Sequence, residues 1–144
     1  MTLSSPLNTQ QLELESITTL ESQLQQKQNL AAIGQRYTDI VWAAGLFEGE
    51  GYIYIHKTKN YNYWNMGMEM ADKDVMERYA SVIGSDLLRP RKTWAKMATK
   101  QSWIVNTSKK TEVLRILKMF LPHFGKRRSE KAIEAITHLH EIIN

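Results

Sequence analysis

Hydrophobic positions change their period several times along this chain, and each change marks an element. Ile17, Leu20 and Leu24, with Leu12 or Glu13 ahead of them, recur at helical spacing in a segment rich in Gln, Ser, Thr and Glu. That predicts a weakly amphipathic helix, with Gly34 as its stop. Asp39 is placed to cap a second helix through Ile40–Phe47, which is short and apolar, and Gly49 and Gly51 end it. Tyr52–His56 has the β-branched and aromatic content of a strand, and Lys59–Asn62 is turn-like. From Trp64 to Met70 apolar and small or polar residues alternate strictly. A period of two assigns Trp64, Met66, Met68 and Met70 to a buried face, and Asn65, Gly67 and Glu69 to the opposite one.

The second half repeats the scheme. Asp72 caps a helix to about Ile83, closed by Gly84. Strands follow near Leu87–Met97 and Ser102–Thr107, joined by a turn at Ala98–Gln101. Ser108 is expected to cap a helix with the stripe Val113, Leu114, Ile116, Leu117 and Phe120, punctuated by Pro122 and Gly125. A last helix is expected from about Ser129 to Ile143, with Ala132, Ile133, Ile136 and Leu139 inside. No parallel crossover rhythm is present, so the predicted class is α+β: a four-stranded antiparallel sheet of two hairpins, with helices on one face. Trp42, Trp64 and Trp103 fall on core-facing positions, while the pattern leaves Trp94 without a side.

Composition narrows what such a sheet serves. At 144 residues the chain suits one sizeable core, and 42% apolar residues is ordinary for a globular protein. The absence of cysteine excludes disulfides and thiolate metal sites, and fits a reducing cell interior, in an organelle or in bacterial or phage-host cytoplasm alike. No secretory signal is visible at the start, and no apolar run approaches the roughly 18 residues of a membrane span. Net charge is +4 and uneven. Residues 1–38 carry two basic and three acidic side chains, against 17 and 12 in residues 39–144. Between Leu87 and Thr111 stand Arg89, Arg91, Lys92, Lys96, Lys100, Lys109 and Lys110 without one carboxylate, and Lys126–Arg128 is a second cluster. A polyanionic partner follows.

The chemistry is concentrated in Ala43–Gly51, which reads Ala-Ala-Gly-Leu-Phe-Glu-Gly-Glu-Gly and passes from a helix straight into a strand. Gly45 and Gly49 lie four apart on one helix face, where small residues let two backbones approach closely. This segment resembles the LAGLIDADG motif, and the elements after it follow the layout of the single-motif LAGLIDADG homing endonucleases to the end of the chain. The resemblance divides the chain into an N-terminal helical or flexible extension, residues 1–36, and an endonuclease domain, residues 37–144, whose sheet forms a DNA-binding saddle. With one copy of the motif, a second helix must come from another chain. The implied assembly is a homodimer packed through Ala44, Gly45, Glu48 and Gly49.

The resemblance also implies a catalytic set. Glu50, where the family pattern has Asp, is the expected ligand of Mg²⁺ or another divalent cation such as Mn²⁺ or Ca²⁺, with Gly49 beside it. Asp72 falls near the place of the attacking water. Lys126 or Arg128 falls where a basic side chain lines the pocket. Duplex DNA is the expected partner, cut on both strands at a long pseudo-palindromic site, as in intron mobility. A non-cleaving regulator or an RNA splicing maturase of the same fold is the alternative. Strand parity directs Tyr54, His56 and Thr58 from one strand, and Asn65, Gly67 and Glu69 from the next, toward the groove. Ser102 stands on the same face. Arg91, Lys92 and Lys96 follow in the cationic run, with Arg91 the candidate for guanine. Lys100, Lys109 and Lys110 are candidates for phosphate.

Overall fold

The computed structural model describes residues 8–92 and 101–143, so Lys96, Lys100, Trp94 and most of the expected turn at Ala98–Gln101 lie outside the described residues. The chain divides into two units, Met1–Tyr37 and Thr38–Asn144. Helix α1, Thr9–Glu50, contributes to both.

In the first unit the helix starts at a capping box. The Asn8 side chain accepts from the Gln11 amide at 2.8 Å, and Gln11 returns the bond to the Asn8 amide at 3.1 Å. Leu12, Ile17, Leu20 and Leu24 are all exposed. Gly34 is not a stop and Asp39 is not an N-cap, because backbone hydrogen bonding is helical through both. A mid-helix glycine costs only about 1 kcal/mol relative to alanine, too little to break a helix with good formers on either side.

The second unit holds the core. Its element order after α1 is β1 (Gly51–Lys57), β2 (Asn62–Met70), α2 (Lys73–Ile83), β3 (Arg89–Pro90), β4 (Trp103–Thr107), α3 (Lys110–Phe120), a short 3₁₀ turn at Leu121–His123, and α4 (Lys126–Ile143). The strands form one open antiparallel sheet in the order β1-β2-β4-β3, as the two-hairpin reading requires. Register fixes the faces. Ile53 pairs with Met66, Gly51 with Met68, and Met68 with Val105, so these residues lie on one side together. Met66, Met68, Trp64 and Val105 are buried there against Met76, Tyr79, Val113, Leu117 and Phe120 of α2 and α3 and Ala132, Ala135 and Leu139 of α4. The Trp64 indole donates to His138 Nδ1 at 2.8 Å, satisfying a buried polar group that would otherwise be costly. Burial also pushes the Tyr79 phenol well up from its ordinary range.

Helix ends differ from expectation in three places. Lys109, not Ser108, occupies the N-cap of α3. Helix α4 begins at Lys126, three residues earlier than expected, and Ile133 is exposed where a core position was assigned. Gly84 does close α2, in the left-handed region at φ 68°, where a side chain would be strained.

Candidate functional site

The last turns of α1 present two sides. Ala43, Ala44 and Phe47 face inward and are fully buried, with Ile40 half-buried beside them, a helical stripe against the core. Phe47 stacks on Phe124 and tilts against Phe120, at ring distances of 5.8 and 5.7 Å. Ala44 is therefore not available to a second chain, which corrects its assignment to the dimer interface. Val41, Gly45 and Gly49 form the outer side and are exposed. A Cβ added at Gly45 or Gly49 meets nothing within 4 Å.

Charge at the foot of α1 is placed against the helix dipole. The last turn carries Glu48 and Glu50 and no basic residue, although the C-terminal end of a helix is its negative pole. Helix α4 makes the opposite misplacement: Lys126, Arg127 and Arg128 fill its first turn, at the positive pole, without an acid. The fold joins the two ends. Glu48 accepts from the Gly125 amide at 3.1 Å, and its other oxygen lies 4.0 Å from Arg128 Nε. Arg128 Nη2 donates to the Glu48 and Gly51 carbonyls at 3.1 and 2.9 Å. The guanidinium also lies 5.3 Å from the centre of the Phe47 ring. Burial lowers the Arg128 pKa from its usual value, with the Glu48 charge opposing. Arg128, expected to line the catalytic pocket, thus uses its Nη2 to close the end of α1.

What the tie leaves over is Glu50 on one helix and Lys126 and Arg127 on the other. All three are exposed. Glu50 makes no hydrogen bond or ion pair among the described residues. It immediately precedes β1, and Asp72 follows the end of the antiparallel partner β2, so both acids sit at the same end of the sheet. Asp72 occupies the N-cap of α2 by backbone, but its side chain makes no capping bond.

No group of three His, Cys, Asp or Glu side chains converges on one point among the described residues. A single chain offers Glu50 and the terminal carbonyls of α1, including that of Gly49, which have no helical partner ahead of them. This all-oxygen set, small in number, fits a hard divalent cation that completes its shell from other oxygens.

The sheet face away from the helices carries the expected polar and aromatic residues, with corrections. Pairing places Tyr52, Gly67 and Asn106 in one row, and Arg89, Glu69 and Ile104 in the next. Arg91 continues this face, since its amide donates to the Ser102 carbonyl at 2.9 Å. Glu69 accepts from Ser102 Oγ at 2.6 Å and from Arg91 Nη1 at 2.5 Å, so each of its oxygens carries a bond within the face. Arg89 Nη2 donates to Asn106 Oδ1 at 3.1 Å. Burial raises the Tyr52 phenol above its usual value, while the Asn106 side chain pulls the other way. Gly67 is required here, because a Cβ would strike Asn106, the Tyr52 hydroxyl and the Val105 carbonyl. Lys92 lines the same open groove. Strand parity directs Tyr52 and Asn106 to this face as well, and Arg89 opens the cationic run, but none of the three was given a contact from sequence. Arg89 sits two residues before Arg91, and that spacing was the signal for it.

Asn65 and Thr58, both expected to face the groove, each make a bond within the fold. Asn65 is 7% exposed and donates to Ser108 Oγ across the end of the β2–β4 pair, which also explains why Ser108 does not cap α3. Thr58 lies beyond β1. Its hydroxyl donates to the Tyr61 carbonyl and accepts from the Tyr61 amide, closing the hairpin. Tyr54 and His56 do reach the open face, within a row of ring contacts that runs Tyr52, Tyr54, His56, Tyr63, Tyr61. Lys109 and Lys110 are exposed at the start of α3.

No protein-family model matches the sequence, and no curated protein matches it. Solved structures do. The homing endonuclease I-CvuI, in complex with its target in the presence of 2 mM Ca, aligns with a TM-score of 0.57 at 13% identity, over 76% of this chain and 71% of its own. The homing endonuclease I-TnaI aligns at 0.56 and 12% identity, over 71% of each chain. The LAGLIDADG meganuclease I-AabMI, bound to uncleaved DNA, aligns at 0.54 and 15% identity, over 72% of this chain and 37% of its own. With the helix running into β1 through its Gly-acid-Gly foot and the open four-stranded sheet behind it, this chain has the fold of the LAGLIDADG homing endonucleases.

Proposed function

We propose that two copies of this chain form a DNA endonuclease that hydrolyses both strands of a long, roughly palindromic duplex with divalent cations, as a homing endonuclease does. The observation that carries the proposal is Glu50: an exposed, unpartnered carboxylate at the negative end of α1, beside the sheet, where only a cation offsets its placement. The outer side of α1, small at Gly45 and Gly49, is suited to close approach of a second α1, which brings a second Glu50 alongside the first. Two carboxylates and DNA phosphates together suit Mg²⁺, which takes few protein ligands.

Bound there, the cations supply an activated water and steady the leaving oxygen. The chain's own residues do the rest. Lys126 and Arg127, at the positive end of α4, attract the phosphate, and Asp72 stands at the same sheet end to orient water. The open face of the sheet fills the major groove, and Lys109 and Lys110 hold backbone phosphates. The test is cleavage of a random duplex library, selected for cut ends, by the chain with Mg²⁺ and by Glu50→Gln. The expected result is paired cuts with the first and none with the second, with DNA affinity retained and falling steeply as salt rises. Undiminished cutting by Glu50→Gln removes the assignment.

A second reading, an RNA splicing helper, is favoured by the exposed rings of Tyr54, His56 and Tyr61, since unpaired bases stack on aromatic side chains. Titration against intron RNA and duplex DNA ranks the two.

A further inference from the structure

Two arginines on the edge of the open face are each tethered by a neighbouring strand. Arg89 and Arg91 stand two residues apart on β3 and its continuation, so their side chains leave the same face. Each is tethered by an acceptor from a neighbouring strand: Arg89 by Asn106 Oδ1 on β4, and Arg91 by Glu69 Oε2 on β2. Glu69 is fixed in turn, because Ser102 Oγ donates to its other oxygen at 2.6 Å. Each tether occupies one nitrogen of a five-donor guanidinium. The Arg91 side chain keeps 57% of its surface, against 27% for Glu69. The fork is therefore aimed but still open.

We infer that Arg89 and Arg91 are a pair of guanine readers, held in position by Asn106 and by Glu69 with Ser102, and that they select two guanines separated by one base pair in each half of the target. This inference rests on the duplex-DNA reading above. Its physical basis is spacing and preorganisation. Same-face residues on a strand are about 6.6 Å apart, twice the ~3.3 Å rise per residue. Bases along one DNA strand follow every ~3.4 Å, so two such side chains match bases two steps apart. Arginine presented end-on pairs with O6 and N7 of guanine through two donors, and a fork already held loses less freedom on binding. Glu69 is then a positioning residue. One of its oxygens holds Arg91 and the other is held by Ser102.

The test is selection of bound duplexes from a random library by the full chain without divalent metal, so that bound DNA is recovered whole. The wild-type chain is expected to enrich half-sites with two guanines on one strand flanking one unconstrained pair. Arg89→Ala should relax one of these positions and Arg91→Ala the other, each by about tenfold to a hundredfold in base preference. Glu69→Gln should relax the same position as Arg91→Ala, while thermal unfolding stays at the wild-type midpoint, which a merely structural role would not produce. Arg91→Lys should retain overall affinity yet lose that guanine. If Glu69→Gln does not fold, Ser102→Ala, which removes one of the two bonds holding Glu69, reads the same position. The inference is overturned if Glu69 and Arg91 variants relax different positions, if the arginine variants weaken all sequences equally as phosphate contacts do, or if the enriched motif lacks the guanine pair. Failure to enrich any duplex would sink the DNA reading itself, a result distinct from a motif that ignores these arginines.

Discussion

The inner and outer sides of the last turns of α1 alternate within one short stretch and have opposite fates. Inward, Ala43, Ala44 and Phe47 are fully buried, and Glu48 is tied to Gly125 and Arg128. Outward, Val41, Gly45 and Gly49 face solvent; Glu50, at the very end of the helix, is exposed and has no partner among the described residues. Two glutamates two positions apart on one helix end thus separate into a structural acid and a free one. The difference teaches that a helix pole carrying the wrong charge is tolerated in two ways: by a cation the fold supplies, as at Glu48, or by one that arrives from outside, as proposed for Glu50.

That contrast can be broken most directly at Glu50. Glu50→Gln is expected to lower the cleavage rate at least about a thousandfold, roughly 4 kcal/mol of barrier, in a single-turnover assay. The same variant should unfold at an unchanged denaturant midpoint or gain a few tenths of a kcal/mol, since it removes an anion from the negative pole. A clear loss of stability would show that Glu50 is structural, like its neighbour. On the inner side the effect should be reversed. Arg128→Ala removes the donors to the Glu48 and Gly51 carbonyls and leaves Glu48 without its cation, for an expected loss of about 2–3 kcal/mol in urea unfolding.

Gly45→Leu sharpens the comparison from the outer side. A Cβ at Gly45 meets nothing within 4 Å in one chain, and glycine is a poor helix former, so protomer stability should rise by about 0.5–1 kcal/mol. Association of two copies, read by analytical ultracentrifugation, should weaken at least tenfold, about 1.4 kcal/mol. An unaffected dimer would place the interface elsewhere.

The smallest effect sets the scale for an acid whose partner lies at the surface. Arg115 donates to both oxygens of Glu112, at 3.3 and 2.7 Å, and this bonding holds the Glu112 carboxyl below its ordinary value. A depressed folded-state pKa stabilises the fold above the ordinary glutamate range, and the contribution is lost as pH falls through the lower folded value. Glu112→Gln should therefore flatten the acid side of the stability profile slightly and leave neutral pH nearly unchanged, because exposed pairs contribute little. A steep change would mean that surface pairs and the Glu48–Arg128 tie are not different in kind.

Much of this was legible along the chain because it depends on local period. The alternation from Trp64 to Met70 identified the buried face of β2, and the acid-Gly-acid-Gly run located the junction of helix and strand. Where local rules failed, a competing bond was the cause. Thr58 keeps strand parity only if the strand continues, and its hydroxyl closes a turn instead. Asn65 has the right direction, yet parity says nothing of depth, and Ser108 and the neighbouring strands cover it. Gly34 shows the converse, a breaker overruled by its neighbours.

By itself the sequence determined the elements, the α+β class and the presence of an acid at the end of a glycine-bearing helix, because periodicity and turn chemistry act between residues a few positions apart. Only the tertiary structure decided which acid is free. Arg128 reaches the Glu48 carbonyl across 80 positions, Gly125 reaches its carboxylate across 77, and Asn65 finds Ser108 across 43. Such partners are set by how the helices and sheet pack, and a charge or an amide acquires its role from the partner that packing brings to it.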